Sequence, residues 1–277
     1  MKNLKKAALC TLITGLAVAS APTAAHEMFL KPENSSQEPA SAQVVRLING
    51  TFGKSENAIT RDRMADVSIV ADGNVTKPRP SDWYDDENSS YLNYDSGDTG
   101  TKVIGVSTRP KIITMSPDDF IAYLKHDGVL DTLAIFEAEN TLTEVRERYS
   151  KHIRTVVQVG DRKSDSFATQ LGYPVEIILD QNPYELRFGD NIGFRVLVKG
   201  EPAANQLVRA SYEGFHGHDA SGGHFNSYDM RTDADGRASF LLNNKALWYI
   251  SLIHMQKIDD QDADYESNWA TITFRVD

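Results

Sequence analysis

From Ala42 onward the apolar positions fall in short β-branched and aromatic runs broken by polar turns. Val44 to Ile48, Val67 to Val70, Val103 to Ser107 and Lys111 to Thr114 read as strands. Pro78 to Gly100 reads as a long loop, its many Asp, Asn, Ser and Gly residues forming a solvated surface. Ser116-Pro117-Asp118-Asp119 is a helix start, with Ser as N-cap and Pro at the first helical position. Phe120, Ile121 and Leu124 supply its apolar stripe and Asp127-Gly128 its stop. Val129 to Glu139 is a second helix, and Thr143 to Lys151 is a third short helix or a charged strand leading into the strand His152 to Val159.

After the turn-rich stretch Gly160 to Gly172 the pattern becomes all-β. Val175 to Leu179, Asn191 to Val198, Gln206 to Tyr212, Phe225 to Arg231, Ala238 to Leu242, Leu247 to His254 and Trp269 to Val276 predict a β-sandwich. Thr232-Asp233-Ala234-Asp235-Gly236 is a hairpin turn. As a calcium loop it fails, because Arg231 stands where the first carboxylate ligand belongs. The expectation is a mainly β protein of two sandwich-like halves, residues 26–172 with one to three short helices and residues 173–277.

The first residues are different in kind. Lys2, Lys5 and Lys6 precede an apolar run from Ala7 to Ala19, and Thr23-Ala24-Ala25 offers small residues at a cut. Residues 1–25 therefore read as a secretory signal peptide, with cleavage after Ala25 preferred over cleavage after Ala21. The run is too short to span a membrane, and no later stretch reaches the length of a transmembrane helix. Removing it takes away three Lys and no acid, leaving 26 basic against 39 acidic residues and a net charge of −13. It also takes away Cys10, the only cysteine, so neither disulfides nor thiolate ligands are expected in an exported, periplasmic protein. The acidic balance argues against nucleic acid as the partner and favours cations.

Histidines supply the sharpest chemical signal. Of seven, three fall in the segment His216-Gly217-His218-Asp219-Ala220-Ser221-Gly222-Gly223-His224. Two histidines at alternate positions share a face of an extended strand, and the small loop can bring His224 back beside them. Imidazoles suit nickel, cobalt, copper or zinc, whereas calcium and magnesium demand oxygen. His26 would become the mature N-terminus and chelate a metal through its amine and ring together. His126 and His152 read as structural. His254 closes a strand, at the opposite end of the sheet from the His216 loop by simple strand counting. No Gly-x-Ser-x-Gly elbow, His-Glu-x-x-His helix or phosphate-cradling glycine loop occurs, and the acid pairs Glu137/Glu139 and Asp259 to Asp264 read as solvated faces, so no catalytic residue is assigned and no enzyme is expected.

Several segments, in order, resemble one family. They are Ala25-His26-Glu27-Met28-Phe29-Leu30-Lys31-Pro32, Asp119-Phe120-Ile121-Ala122-Tyr123-Leu124 with Asp127-Gly128, Gly172-Tyr173-Pro174-Val175-Glu176-Ile177, Asn182-Pro183-Tyr184, the Asp-rich hairpin, His254-Met255 and Trp269-Ala270-Thr271-Ile272-Thr273-Phe274. The family (DUF4198-like) comprises exported bacterial proteins of uncharacterised function grouped with periplasmic components of nickel and cobalt uptake systems. The resemblance implies that the second half is a transthyretin-like or carboxypeptidase-regulatory-like (Ig-like) sandwich and that the protein binds a transition metal. It also implies that His26 and His254 match family histidines. The expected function is a periplasmic nickel or cobalt binding protein that supplies an inner-membrane transporter through His26, His216, His218, His224 and His254. The alternatives are a copper chaperone using the N-terminal histidine, and an envelope interaction module with Trp83, Tyr84, Tyr91 and Tyr94 as contacts.

Overall fold

The computed structural model describes residues 27–139, 141–218 and 224–277. Its strands are β1 (Met28–Pro32), β2 (Ala42–Thr51), β3 (Met64–Ala71), β4 (Trp83–Asp86), β5 (Ser89–Asp95), β6 (Gly100–Thr108), β7 (Lys111–Met115) and β8 (Val145–Val159) in the first half. β9 (Val175–Leu179), β10 (Asn191–Val198), β11 (Leu207–Tyr212), β12 (Tyr228–Arg231), β13 (Arg237–Leu241), β14 (Leu247–Lys257) and β15 (Tyr265–Arg275) follow. Helices α1 (Pro117–His126) and α2 (Leu130–Glu139) lie between β7 and β8. Ser116 caps α1 as its sequence predicts, its hydroxyl accepting the Asp119 N–H at 3.1 Å.

Mainly β architecture holds, organised as three layers. The central layer is a ten-stranded sheet in the order β12-β11-β14-β15-β8-β6-β3, with β7 also on β8 and short strands at residues 36–37 and 74–76. A sheet in the order β1-β2-β5-β4 packs on one face through Leu30, Val45, Leu47, Leu92, Val106 and Val157. A smaller sheet of β9, β10 and β13 packs on the other through Ile177, Phe194, Trp248, Ile250, Ile272 and Phe274. Beside the first sheet, α1 and α2 cover the same face through Phe120, Leu124, Leu133, Phe136 and Trp269. The boundary expected after residue 172 is crossed by hydrogen bonds, since β8 and β15 pair in parallel from Glu147 with Tyr265 to Thr155 with Thr273.

One local reading needs correction. Residues 78–100 are not a loop: β4 and β5 form a hairpin turning at Glu87, which takes φ 49°, and β5 pairs with β2. Its strand residues are mostly Ser, Asn, Tyr and Asp, so the apolar alternation that marks a strand is missing. Ladder hydrogen bonds and buried hydroxyls take its place, such as Ser90 Oγ receiving the Ile59 N–H at 2.9 Å. Of the two readings of Thr143 to Lys151, the strand is the one adopted, within the unbroken β8. The Asp-rich hairpin is a turn: Asp233 Oδ1 accepts the N–H groups of Asp235 and Arg237 at 2.9 and 2.8 Å.

Candidate functional site

Where the first sheet meets the helix pair, the central sheet carries charged instead of apolar side chains. Successive residues of a strand point to opposite faces, and on β8 the face that holds Ile153 and Val157 also holds Glu147 and Lys151. Ser251 of β14 and Ser267 of β15 stand on this face, and Arg209 is paired with Ser251 across β11 and β14. Glu27, just before β1, and Asp127, just after α1, approach from the two covering elements and line a cavity of about 80 Å³ with Arg209 and Ser251. That is room for an ion and a few waters.

Local chemistry fixes this arrangement. Gly128 takes φ 70°, ending α1, and a Cβ there would come within 1.9 Å of Arg209 Nη2, so only glycine lets the guanidinium lie against the turn. Asp127 is 13% exposed, and its Oδ1 is paired with His126 Nδ1 at 2.8 Å. Its Oδ2 is buried and has no hydrogen-bond partner among the described residues. Burial pushes the Glu27 and Asp127 carboxyls above the usual carboxylate range, against the pull of Ser251 and Arg209 on the first and of His126 on the second.

Behind the cavity lies a second polar layer. Glu147 Oε1 accepts from Tyr123 Oη at 3.1 Å and from Ser267 Oγ, whose own oxygen receives Trp269 Nε1 at 3.2 Å. Glu147 Oε2 is buried without a hydrogen-bond partner among the described residues, and burial raises this carboxyl to about 7. Lys151 donates to Asn49 Oδ1 at 3.1 Å and lies 5.4 Å from the centre of the Trp269 ring. Burial lowers its ammonium to about 7, so it gives up its proton near neutrality. Glu147 and Lys151 thus exchange their protons in the same range, behind the Glu27 and Asp127 carboxyls and the Arg209 guanidinium that line the cavity.

Of the expected ligands, the structure separates His254 from the His216 ribbon. His26 and residues 219–223 lie outside the described residues. His216 is exposed, and the backbone at His218 pairs with that at His224 in a two-stranded ribbon. The ribbon leaves β11 at Tyr212, opposite Trp248, where Glu213 is held by Lys31 at 2.6 Å. His254 is six residues further along β14, roughly 20 Å away. It also stands on the other face, with Ile250 and Leu252, while Ser251 and Ile253 face the seam. Its Nδ1 is 3.0 Å from Gln206 Oε1. Among the described residues no three His, Asp or Glu side chains could hold a metal by themselves, so the Glu27 and Asp127 pair needs a further ligand. Of the aromatic candidates, Trp83 belongs to the core and Tyr94 Oη accepts from Gln37 Nε2 at 2.5 Å, while Tyr84 stacks on Tyr91 at 5.1 Å on the surface. Glu147, Lys151 and Arg209 were not singled out by the sequence. Their signal was charge at positions where strand alternation calls for apolar residues.

Comparison with known proteins places these observations. The family model described as "Domain of unknown function (DUF4198)" matches residues 23–256. No curated protein matches the chain. Among solved structures, Salmonella alpha-2-macroglobulin reacted with methylamine is similar at 12% identity and TM-score 0.23, covering 95% of this chain and 15% of that one. Escherichia coli alpha-2-macroglobulin activated by porcine elastase is similar at 9% identity and TM-score 0.25, covering 91% of this chain and 20% of that one. The chain thus spans less than a quarter of the length of either. No helix among the described residues is long and apolar enough to cross a membrane.

Proposed function

The chain belongs to the DUF4198 family, and we propose for it the role of a periplasmic carrier of a divalent transition metal, nickel or cobalt, that supplies a membrane uptake transporter. Glu27 and Asp127 hold the ion in the seam, and His26, one peptide bond and about 3.8 Å of Cα separation from Glu27, completes the site through its imidazole and, after cleavage, its amine. The histidine-rich segment with His216, His218 and His224 captures the ion first. The observation that supports this reading most is the buried Asp127 Oδ2, without a hydrogen-bond partner among the described residues, in one cavity with Glu27. Copper will outcompete nickel and cobalt at such a site in vitro, so affinity alone does not identify the cargo.

Native mass spectrometry of untagged protein, exported through its own first residues and dialysed against equimolar nickel, cobalt, copper and zinc, tests the proposal. One bound nickel or cobalt on a chain starting at His26, lost in an E27Q/D127N variant and kept in H254A, is the expected result. A chain that stays metal-free at micromolar excess, or one whose metal is indifferent to E27Q/D127N, would refute it.

A further inference from the structure

On the opposite face of the central sheet a much larger cleft opens, of about 570 Å³, within the size range of pockets for drug-sized ligands. Ser150, Glu266 and Asn268 form its floor, Gln170 and Tyr173 one wall, and Lys199 the other. The floor is held rigidly from behind. Asn268, 5% exposed, accepts at Oδ1 from Ser150 Oγ at 2.9 Å and from His152 Nε2 at 3.0 Å. His152 is buried and kept neutral, and its Nδ1 is 2.9 Å from Ser107 Oγ, which donates to it. With its carbonyl doubly engaged, Asn268 donates from Nδ2 to Glu266 Oε1 at 3.5 Å, and the same oxygen accepts from Gln256 Nε2 at 3.4 Å.

His254, paired with Asn268 across β14 and β15, is fixed in the same way. Gln206 Nε2 donates to the carbonyls of Leu207 and Ile253 at 3.0 and 3.1 Å, so Oε1 is the atom that accepts from His254 Nδ1–H. The lone pair of His254 Nε2 is left as a free acceptor. The opposite charges of Lys199 and Glu266 line one cleft, yet neither forms an ion pair with a described residue.

Lys199 thus lines the cleft as a cation and Glu266 as an anion with no ion pair between them, while the Asn268 amide and, across the ladder from it, His254 Nε2 stand beside them. A ligand that carries an anion and a cation together fits this pattern, and the volume exceeds what one amino acid fills. We propose that the cleft binds a short unblocked peptide, its carboxylate at Lys199 and Asn268 and its ammonium at Glu266 and His254.

Isothermal titration calorimetry of the whole protein, with EDTA present to exclude histidine-bound metal, tests this with trialanine, N-acetyl-trialanine, trialanine amide and L-alanine. Trialanine is expected to bind, with each terminal block and the replacement by L-alanine weakening binding at least about tenfold. Lys199→Ala and Glu266→Gln, at positions outside the core, should each weaken trialanine by a similar factor while leaving the melting temperature unchanged. Absence of heat at millimolar trialanine, equal binding of the blocked peptides or of L-alanine, or indifference to both substitutions would overturn the proposal.

Discussion

Replacing Glu147 by Gln should stabilise the protein above neutral pH and lose that benefit in acid. The carboxyl titrates at about 7 in the folded chain against 4.5 for an unperturbed glutamate, because burial disfavours its charge. The folded state therefore holds this proton more tightly than the unfolded one. The stability linked to Glu147 is fully present below pH 4.5 and lost as the pH rises through about 7. At about 1.36 kcal/mol per pKa unit the loss approaches roughly 3 kcal/mol at pH 8. Lys151 offsets little of this, since its ammonium is also lowered to about 7 and is mostly deprotonated there. Gln keeps an acceptor for Tyr123 and Ser267 and carries no charge, so the gain at pH 8 is set at about 2 to 3 kcal/mol, or roughly 5–10 °C in Tm for a chain of this size. Differential scanning calorimetry of both proteins from pH 4 to 9 measures it. A substitution that destabilises equally at pH 4.5 and pH 8 would refute the reasoning, because Glu147 would then act as a charged hydrogen-bond acceptor and not as a buried acid.

Gly128→Ala forces a left-handed residue and drives a methyl group into Arg209, so a loss of about 1–3 kcal/mol in chemical denaturation is expected together with weakened metal retention. Arg154→Ala strands Glu176 after removing a buried 3.1 Å ion pair, and should cost about 3 kcal/mol. That figure is at the low end for buried pairs because the Leu171, Gly172 and Tyr173 N–H groups still hold the carboxylate. His152, lowered by burial to about 4, should show unchanged ring ¹⁵N shifts in NMR spectra from pH 8 to pH 5. Its contribution to stability is present above 6.5 and lost as the pH falls through about 4, so titration near 6.5 would contradict the buried network.

The elements with local signatures were the legible ones. Ser116-Pro117 and Asp127-Gly128 bracket α1 because capping chemistry acts over a few residues, and the long strands of the second half carry their own apolar alternation. The β4 to β5 hairpin was invisible because only Trp83 and Leu92 of its strands are buried apolar residues, and the buried Ser89 and Ser90 between them are held by β2 and Ile59. Pairing between β8 and β15 joins residues 118 apart and leaves no local trace. The seam was hidden for the same reason. Asp127 reads as a helix stop and Glu27 as one acid beside a strand, and their sharing of a cavity with Arg209 depends on three elements meeting. The histidine pattern located residues that are chemically distinctive, but strand direction, not composition, sets His254 apart from the His216 ribbon.

The position of β15 also governs how the chain can fold. Residues 265–275 do not finish the sheet at an edge; they enter its middle, between β14 and β8. Until they arrive, β14 and β8 each present an open ladder, a template for pairing with other chains. The contacts that close this gap span almost the whole sequence, as in the hydrogen bonds from Thr271 and Thr273 to the Met28 and Leu30 carbonyls. Such high contact order places folding in the slow, millisecond-to-second class, and makes it a late event in the life of the polypeptide. A nascent or truncated chain stopping before residue 265 has no native-like resting state to occupy, and its survival depends on chaperones that cover the two strands flanking the missing one.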